Sequence, residues 1–315
     1  MKLSSKKKES KKRAVRALVL FSGGLDSILT AKILEKQGIE VTALTFTSFF
    51  FDSGQAEKSA RENGLKLRVE DISRKHLGII RKPKFGYGVG MNPCIDCHLL
   101  MLKAAKMIMQ KEKYDLLATG EVLGQRPMSQ NAEALKLIER EAGLIGKILR
   151  PLSAGVLPET EMEKSGLVDH EKLLGISGRS RKEQMRLASE LGVKDYPTPA
   201  GGCILTDKEY SKKLRDLLQK IEKPKSSDLA LLRIGRHFWL EKARIILGRN
   251  HEENLQLKKI AERGDLLAEP KDVPGPTALI RGKRKEEALD LAKELLLRYT
   301  KKTGEDLSLK ITAGS

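Results

Sequence analysis

Residues Ser22–Ser27 read SGGLDS and stand between a predicted strand, Arg16–Phe21, and a predicted helix, Ile28–Gln37. Consecutive glycines let the backbone bend tightly and approach a ligand closely. The N–H groups at the start of the following helix favour an anion there. Asp26 would repel a phosphate, and its presence is explained by a magnesium ion that bridges phosphates. The stretch predicts nucleotide binding; the alternative is a tight turn capped by Ser27.

The alternation of strand and helix continues beyond this loop. Strands are predicted at Glu40–Thr47, Leu67–Asp71 and Leu116–Thr119, with helices at Gln55–Asn63 and Cys97–Lys111. Strands that alternate with helices predict an α/β fold, a parallel sheet with helices on both faces.

The pattern changes after the polar stretch Lys223–Asp228. The following strands are predicted at Leu229–Ile234, Ala243–Leu247, Asp265–Ala268, Thr277–Arg281 and Leu307–Thr312, and the helices at His251–Arg263 and Arg284–Lys301. This order predicts a smaller C-terminal α+β domain. The domain plan is therefore a basic, disordered arm at 1–14, an α/β domain at 15–222 and an α+β domain at 229–315.

The composition suits a basic, soluble protein. The chain has 315 residues, of which 60 are Lys or Arg and 42 are Asp or Glu, giving a net charge of +18. Such an excess favours a polyphosphate partner such as nucleic acid, although a heat-adapted, charge-rich surface is an alternative. No apolar stretch has the length of a membrane span or the form of a signal peptide. We therefore expect a cytoplasmic protein without membrane association; the sequence leaves the oligomeric state open.

The sequence contains three cysteines. Cys94 and Cys97 form a C-x-x-C motif, and Cys203 follows two glycines about a hundred residues later. Three thiolates can hold a [4Fe–4S] cluster with one open iron, C-x-x-C alone can act as a redox or persulfide pair, and four ligands would be needed for zinc. His98 is a poor fourth zinc ligand because neighbouring helical side chains diverge. The residues alone leave these interpretations open. A further alternative is that the three cysteines are small, buried hydrophobic side chains without a chemical role.

The Ser22–Ser27 loop closely resembles the pyrophosphatase loop (PP-loop) of the N-type ATP pyrophosphatases. These enzymes share an adenine-nucleotide alpha hydrolase-like fold. Those enzymes cleave ATP between the α- and β-phosphates and adenylate a carbonyl oxygen of their substrate. The resemblance implies contacts with ATP by residues of the loop and of two strand ends. They are Ser22, Gly23, Gly24, Asp26, Ser27, Thr45, Phe46, Thr119 and Gly120.

The loop, the segment Asn92-Pro93-Cys94-x-x-Cys97-His98 and Cys203 together resemble the iron–sulfur-dependent 2-thiouridine and 4-thiouridine synthetases over about residues 15–220. This resemblance implies tRNA uridine thiolation with ATP, Mg²⁺ and a [4Fe–4S] cluster. It implies a metal site formed by Cys94, Cys97 and Cys203 and a catalytic role for these cysteines and Asp26. Sulfur would come from sulfide or from a sulfur-carrier or desulfurase protein.

The sequence departs from these families, because it shows neither the N-terminal RNA-binding region of full-length 4-thiouridine synthetases nor the zinc-finger cysteine pairs of the 2-thiouridine enzymes. We therefore expect either that another region holds tRNA or that the substrate is not RNA. The stretches Gly248–Asn254 (GRNHEEN) and Asp272–Thr277 (DVPGPT) resemble the RNA-binding domain of the NFACT ribosome quality-control proteins, which implies binding of tRNA or rRNA. Basic residues near its predicted strand ends and turns offer phosphate contacts. They are Arg233, Arg236, His237, Lys242, Arg244, Arg249, Arg281, Lys283 and Arg284.

Further cations are candidates for the reaction site. Lys103 and Arg126 are candidate charge stabilisers, and the cluster of Arg179, Arg181 and Lys182 could face phosphate or solvent. Two other functions remain open at this point. One is a PP-loop ligase or amidase acting on a small molecule with zinc at the cysteines, and the other is a non-catalytic RNA-binding factor that binds ATP.

Overall fold

The structure is a computed structural model that describes residues 13–197, 202–283, 285–300 and 307–314. Most of the predicted arm, residues 1–12, and the candidate phosphate contact Arg284 lie outside the described residues. The chain divides into two units. The first holds the residues up to Gly88 and Asn92–Cys203, and the second holds Val89–Met91 and the residues from Ile204 onward. The domain limits 15–222 and 229–315 stay predictions.

A five-stranded parallel sheet forms the centre of the first unit, in the order β3-β2-β1-β4-β5. Its strands are β1 (Arg16–Leu20), β2 (Glu40–Thr47), β3 (Lys66–Asp71), β4 (Leu116–Thr119) and β5 (Ile148–Leu149). The helices of this unit are α1 (Leu25–Lys36), α2 (Gly54–Glu62), α3 (Ser73–Arg81), α4 (Cys94–Glu112), α5 (Ala132–Ala142), α6 (Glu161–Lys164) and α7 (Lys182–Glu190).

The sheet is buried on both faces. Ala17 and Val19 of β1 join one hydrophobic cluster, whereas Leu18 between them joins another. Side chains alternate across a strand, so these two clusters lie on opposite faces of the sheet. Helix α1 supplies Ile28 and Leu29 to the first cluster, and α4 supplies Leu99 and Leu102 to the second. This arrangement confirms the predicted α/β fold, a parallel sheet with helices on both faces.

The strand order places a topological switch beside β1. The chain runs from β1 to β2 and β3 on one side, whereas β4 and β5 lie on the other side of β1. The connections leaving the carboxyl ends of β1 and β4 therefore diverge. Open α/β sheets bind ligands in the crevice at such a point.

The second unit is built on a five-stranded antiparallel sheet in the order β10-β8-β9-β7-β6. Its strands are β6 (Arg236–Leu240), β7 (Ala243–Leu247), β8 (Leu266–Pro270), β9 (Ala278–Arg281) and β10 (Leu309–Ala313). Its helices are α8 (Lys208–Lys220), α9 (Ser226–Ala230), α10 (His251–Ile260) and α11 (Lys285–Tyr299). This unit confirms the predicted smaller α+β domain.

One prediction of local structure is wrong, and several elements were not predicted. Leu229–Ile234 is not a strand: α9 ends within it and a 3₁₀ turn follows at Leu231–Arg233. Asp228 starts this helix by accepting the Lys225 N–H at 2.9 Å, and short apolar runs do not distinguish helix from strand. Helices α3, α5 and α6 and strand β6 were not predicted, although α3 and α5 are amphipathic. In the described part of the chain, no helix has the length and hydropathy needed to cross a membrane.

Candidate active site

The loop between β1 and α1 is packed tightly against α2. Gly23 has a positive φ of 76°, and a Cβ atom there would lie 2.6 Å from the Gln55 carbonyl oxygen and 2.8 Å from Ala56 Cα. The Ser59 hydroxyl donates to the Gly23 carbonyl at 2.8 Å. Only glycine combines this conformation with this close approach. The loop is therefore fixed in place before any ligand binds.

Helix α1 directs its first N–H groups at this loop. Gly24 is its N-cap residue, and no side chain in the described residues caps the helix. The Ser27 hydroxyl donates to the Gly24 carbonyl at 2.8 Å, whereas Ser22 is exposed and its Oγ lies 3.3 Å from the Gly24 nitrogen. The uncapped N–H groups and the positive end of the helix dipole suit an anion.

Asp26 points into a polar site with unsatisfied atoms. Its Oδ2 accepts a hydrogen bond of 3.1 Å from Gln125 Nε2, but its buried Oδ1 has no partner among the described residues. The same holds for the buried Oε1 atoms of Gln125 and Gln130 and for Arg181 Nε. Burial raises the pKa of Asp26, against the opposing charges of Arg181 and Arg126. A buried carboxylate oxygen without a partner fits a magnesium ion, which takes oxygen ligands.

Gly120 closes the site from the side of β4. A Cβ atom at this position would lie 2.7 Å from the Asp26 carbonyl carbon and 2.8 Å from the Ser27 nitrogen. The loop after β4 therefore lies directly on the first turn of α1. This contact brings Gln125 within reach of Asp26.

A buried polar network follows Thr119, which ends β4. Glu121 accepts hydrogen bonds of 3.0 Å from the Thr119 hydroxyl and from Arg150 Nε, and His98 Nδ1 lies 3.0 Å from its other oxygen. Arg150 also pairs with Glu139. Burial would raise the pKa of Glu121, but Arg150 and His98 hold it at about 2. The network connects β4 to the start of α4, next to Cys97.

The three cysteines come together in the first unit. Cys94 begins α4 and Cys97 lies in its first turn, while Cys203 is exposed. Burial raises the pKa of Cys97 to about 12, and the nearby Cys203, Cys94 and Asp96 act in the same direction. Cys203 therefore lies close enough to the C-x-x-C pair to interact with it. In residues 13–197 and the other described ranges, no group of three His, Cys, Asp or Glu side chains is arranged to hold a metal ion.

Arg126 connects the two halves of the site. Its positive charge acts on the carboxyl group of Asp26 and on the thiol of Cys94, whose pKa is raised by burial. Lys103, the other candidate charge stabiliser, is exposed on α4. The donor set of three thiols in one neighbourhood fits a cluster with one iron that has no protein ligand. Their role as ligands stays a prediction.

The remaining candidate nucleotide contacts lie at the carboxyl end of β2. Thr45 is 6% exposed and Phe46 is 5% exposed. The Phe46 side chain packs in the hydrophobic cluster with Leu44 and Leu99. A contact between these two residues and adenine stays a prediction.

The predicted basic cluster is divided in the structure. The positive charge of Arg181 opposes the rise in the pKa of Asp26, whereas Arg179 and Lys182 are exposed.

Sequence reasoning missed Gln125, Glu121 and Arg150. Glu121 and Gln125 follow the predicted strand Leu116–Thr119 closely, and this position at a strand end could have drawn attention to them. Arg150 directly follows the short strand β5, so its approach to Glu121 depends on the pairing of β4 with β5. No pattern in the sequence specifies that pairing.

Known families match both units. Residues 13–156 match the family model described as thiamine biosynthesis protein (ThiI), and residues 235–315 match the model described as NFACT protein RNA binding domain. Each match covers less than half of the chain. The resemblances to the PP-loop thiolation enzymes and to the NFACT domain are thereby confirmed.

Curated relatives carry related names. A probable tRNA sulfurtransferase of Thermoanaerobacter sp. (strain X514) is 33% identical over 165 residues, which cover 49% of this chain and 39% of that protein. The corresponding protein of Mycoplasma genitalium is 29% identical over 218 residues, covering 65% and 52%. The tRNA-specific 2-thiouridylase MnmA of Syntrophomonas wolfei is 32% identical over 100 residues, covering 29% and 30%. The chain thus spans about two fifths of the length of the first of these relatives.

Two solved structures are similar in part. One is a predicted subunit of tRNA methyltransferase from Methanocaldococcus jannaschii, with 21% identity, a TM-score of 0.38, and coverage of 65% of this chain and 87% of that chain. The other is a 4-thiouridine synthetase–RNA complex with bound ATP, with 23% identity, a TM-score of 0.36, and coverage of 57% and 52%.

Proposed function

We propose that this chain is an ATP-dependent tRNA sulfurtransferase that replaces a uridine carbonyl oxygen with sulfur. One observation carries the proposal: the loop after β4 contacts both motifs, because Gly120 packs on Asp26 of the PP-loop and Glu121 lies 3.0 Å from His98, the neighbour of Cys97. A nucleotide at the loop and sulfur chemistry at the cysteines would therefore share one site. The names of the curated relatives, tRNA sulfurtransferase and 2-thiouridylase, support this reaction.

The PP-loop would bind the phosphates of ATP. The N–H groups of the first turn of α1 and the exposed Ser22 hydroxyl donate to phosphate oxygens, and Arg126 and Arg181 add positive charge. Asp26 would hold Mg²⁺ through its unpartnered Oδ1, with Gln125 fixing the other oxygen. This arrangement concentrates positive charge where pyrophosphate leaves.

The reaction that follows balances without an oxidant or a reductant. The uridine carbonyl oxygen attacks the α-phosphorus, the α–β phosphoanhydride bond breaks, and pyrophosphate leaves with the electron pair. Hydrosulfide then attacks the ring carbon that carries this oxygen, and the bond between that carbon and the oxygen breaks. AMP departs with the former carbonyl oxygen, and the proton on sulfur is lost to water. The uridine must leave its base stack to reach the loop.

Cys94, Cys97 and Cys203 would hold a [4Fe–4S] cluster in this scheme. The chemistry that the cluster supplies when bound is an iron position at which sulfide can coordinate. The network of Glu121 and His98 would keep the first turn of α4 at a fixed distance from β4. Sulfide or a sulfur-carrier protein would be the donor, and tRNA would be the partner of the second unit.

The proposal is tested by identifying the product. Reconstituted protein is incubated anaerobically with ATP, Mg²⁺, sulfide and unmodified tRNA, and the digested nucleosides are analysed by mass spectrometry. We expect a thiouridine that requires both ATP and sulfide and that disappears with Asp26→Asn, because this change removes the charge that would hold Mg²⁺. Absence of any thionucleoside with fully reconstituted protein would overturn the proposal.

A further inference from the structure

A cavity of about 410 Å³ opens in the second unit, away from the PP-loop motif and the cysteines in sequence. It lies among the C-terminal end of α8, the turn between β6 and β7, and the loop between α10 and β8. We call it the Trp239 cavity, after the only tryptophan of the chain, which lines it. Its volume falls within the range of about 300–1,000 Å³ that is typical of small-ligand sites.

The Trp239 ring is half-buried and is flanked by cations. Lys220 Nζ lies 5.5 Å from the centroid of the ring, and the guanidinium carbon of Arg244 lies 5.7 Å from it. Arg244 is only 2% exposed and donates to the Asp228 carbonyl at 2.9 Å and to His237 Nδ1. Because Arg244 is fixed in this way, the indole rests on a rigid support. A rigid aromatic surface beside cations suits a stacked base.

The charges that line the cavity are predominantly positive. Six of the lining residues are Lys or Arg and three are Asp or Glu. Each of the three carboxylates forms an ion pair within the protein: Arg281 pairs with Asp228 and Asp265, and Lys225 pairs with Glu262.

Three exposed cations remain available at the cavity. Lys223, Lys242 and Arg263 have no ion-pair partner within the part of the chain that the structure describes. The backbone of Lys242 packs against Gly282, where an added Cβ atom would lie 2.5 Å from the Lys242 carbonyl oxygen. A second cavity of about 420 Å³ shares Lys242 and adds Lys220, Lys283 and one carboxylate, Glu241, so two further cations lie beyond the tryptophan.

We propose that the Trp239 cavity binds one unpaired nucleotide of an RNA strand, with the base stacked on the indole and the flanking phosphates on Lys223, Lys242 and Arg263. Unpaired bases in RNA are typically recognised by stacking on aromatic rings, and cations along a groove contact the backbone. An acidic peptide would use the cations but not the ring. The proposal rests on the proposed function only for the class of partner, RNA.

The tryptophan makes the test direct, because its fluorescence arises from the cavity alone. The full-length protein is titrated with a short single-stranded RNA, a duplex of the same sequence, UMP and a polyaspartate peptide. We expect the single strand to quench the fluorescence at the lowest concentration, the duplex and UMP to bind more weakly, and the peptide to leave the fluorescence unchanged. Equal quenching by the peptide, or none by the single strand, would overturn the proposal.

Variants separate stacking from charge, with binding measured by anisotropy of labelled RNA. Trp239→Ala removes the ring on which the base would stack, and loss of one stacked base weakens binding by about tenfold or more. Trp239→Phe keeps an aromatic ring, so its affinity for RNA should stay within about threefold of wild type. Lys242→Ala should weaken RNA binding and lower its salt dependence. Lys259 is an exposed lysine of α10 that lies outside the cavity, so Lys259→Ala should change neither the affinity nor its salt dependence. Circular dichroism confirms folding of each variant.

The same measurements keep this proposal distinct from the proposed function. They contain no ATP and no sulfide, so RNA binding is measured even if no thionucleoside is ever formed. Unchanged RNA affinity in a folded Trp239→Ala variant would refute the cavity alone. The proposed thiolation would be unaffected by that result.

Discussion

Replacement of Gly120 by alanine tests how closely the loop after β4 lies on the PP-loop. The new Cβ atom would stand 2.7–2.8 Å from three backbone atoms of Asp26 and Ser27, and none of them can rotate away. Overpacking of this kind costs about 1–3 kcal/mol of the free energy of unfolding. Gly120 has no positive φ, so this steric contact is the whole source of the cost.

The same substitution at Gly78 is the matched control. Gly78 is exposed in the interior of α3, has no positive φ, and has no atom within 4 Å of an added Cβ among the residues considered. Alanine is a better helix former, so Gly78→Ala should raise the free energy of unfolding by about 0.5–1 kcal/mol. The two variants thus carry the same chemical change with opposite expected signs.

Urea unfolding followed by circular dichroism measures both variants, and isothermal titration calorimetry measures their affinity for ATP. Gly120→Ala should displace Gln125 from Asp26 and weaken ATP binding about tenfold, which corresponds to about 1.4 kcal/mol. Gly78→Ala should leave ATP binding unchanged. A Gly120→Ala protein as stable as wild type, with normal ATP affinity, would refute the close packing of this loop on α1.

Three further predictions concern stability, measured by urea unfolding. Burial lowers the pKa of His76 from 6.5 to about 4. The free energy of unfolding should therefore fall by about 3 kcal/mol between pH 6.5 and pH 4, because unfolding lets this histidine take up a proton. His76→Gln should remove this pH dependence. Arg150→Met should cost about 3–5 kcal/mol because it leaves the buried Glu121 carboxylate without its main partner, and adding Glu121→Gln should recover most of the loss. Asp207→Ala removes the N-cap acceptor of the Tyr210 N–H and should cost about 1 kcal/mol.

Each of these predictions has a contradicting outcome. An unchanged pH dependence in His76→Gln would show that this histidine does not titrate with unfolding. Strictly additive effects of the Arg150 and Glu121 substitutions would mean that the two side chains do not interact. An Asp207→Ala protein with wild-type stability would show that α8 does not need this cap.

Local patterns predicted the fold of both units because each pattern has a physical period. The strand–SGGLDS–helix order identifies the first βα unit, and alternation of strands with helices identifies the parallel sheet. The same reasoning failed at Leu229–Ile234, where six mostly apolar residues suit a buried strand or a buried helix equally. Capping by Asp228 decides between them, and its effect depends on tertiary packing.

The candidate site was predictable only in part. Asp26 and the glycines follow from a continuous motif, and the approach of Cys203 to Cys97 was expected from a family resemblance. Gln125, Glu121 and Arg150 reach the site through the pairing of strands and the packing of a loop on α1. Such contacts join residues from distant parts of the chain, and the sequence carries no periodic signal for them.

The central claim is that the PP-loop and the three cysteines serve one reaction in two successive steps. It is tested most directly by measuring tRNA-dependent pyrophosphate release and thiouridine formation in parallel, in wild type and in Cys203→Ser. We predict that Cys203→Ser still releases pyrophosphate in the presence of tRNA but forms no thiouridine, because adenylation precedes sulfur transfer. Thiouridine formation by Cys203→Ser at the wild-type rate would contradict the account.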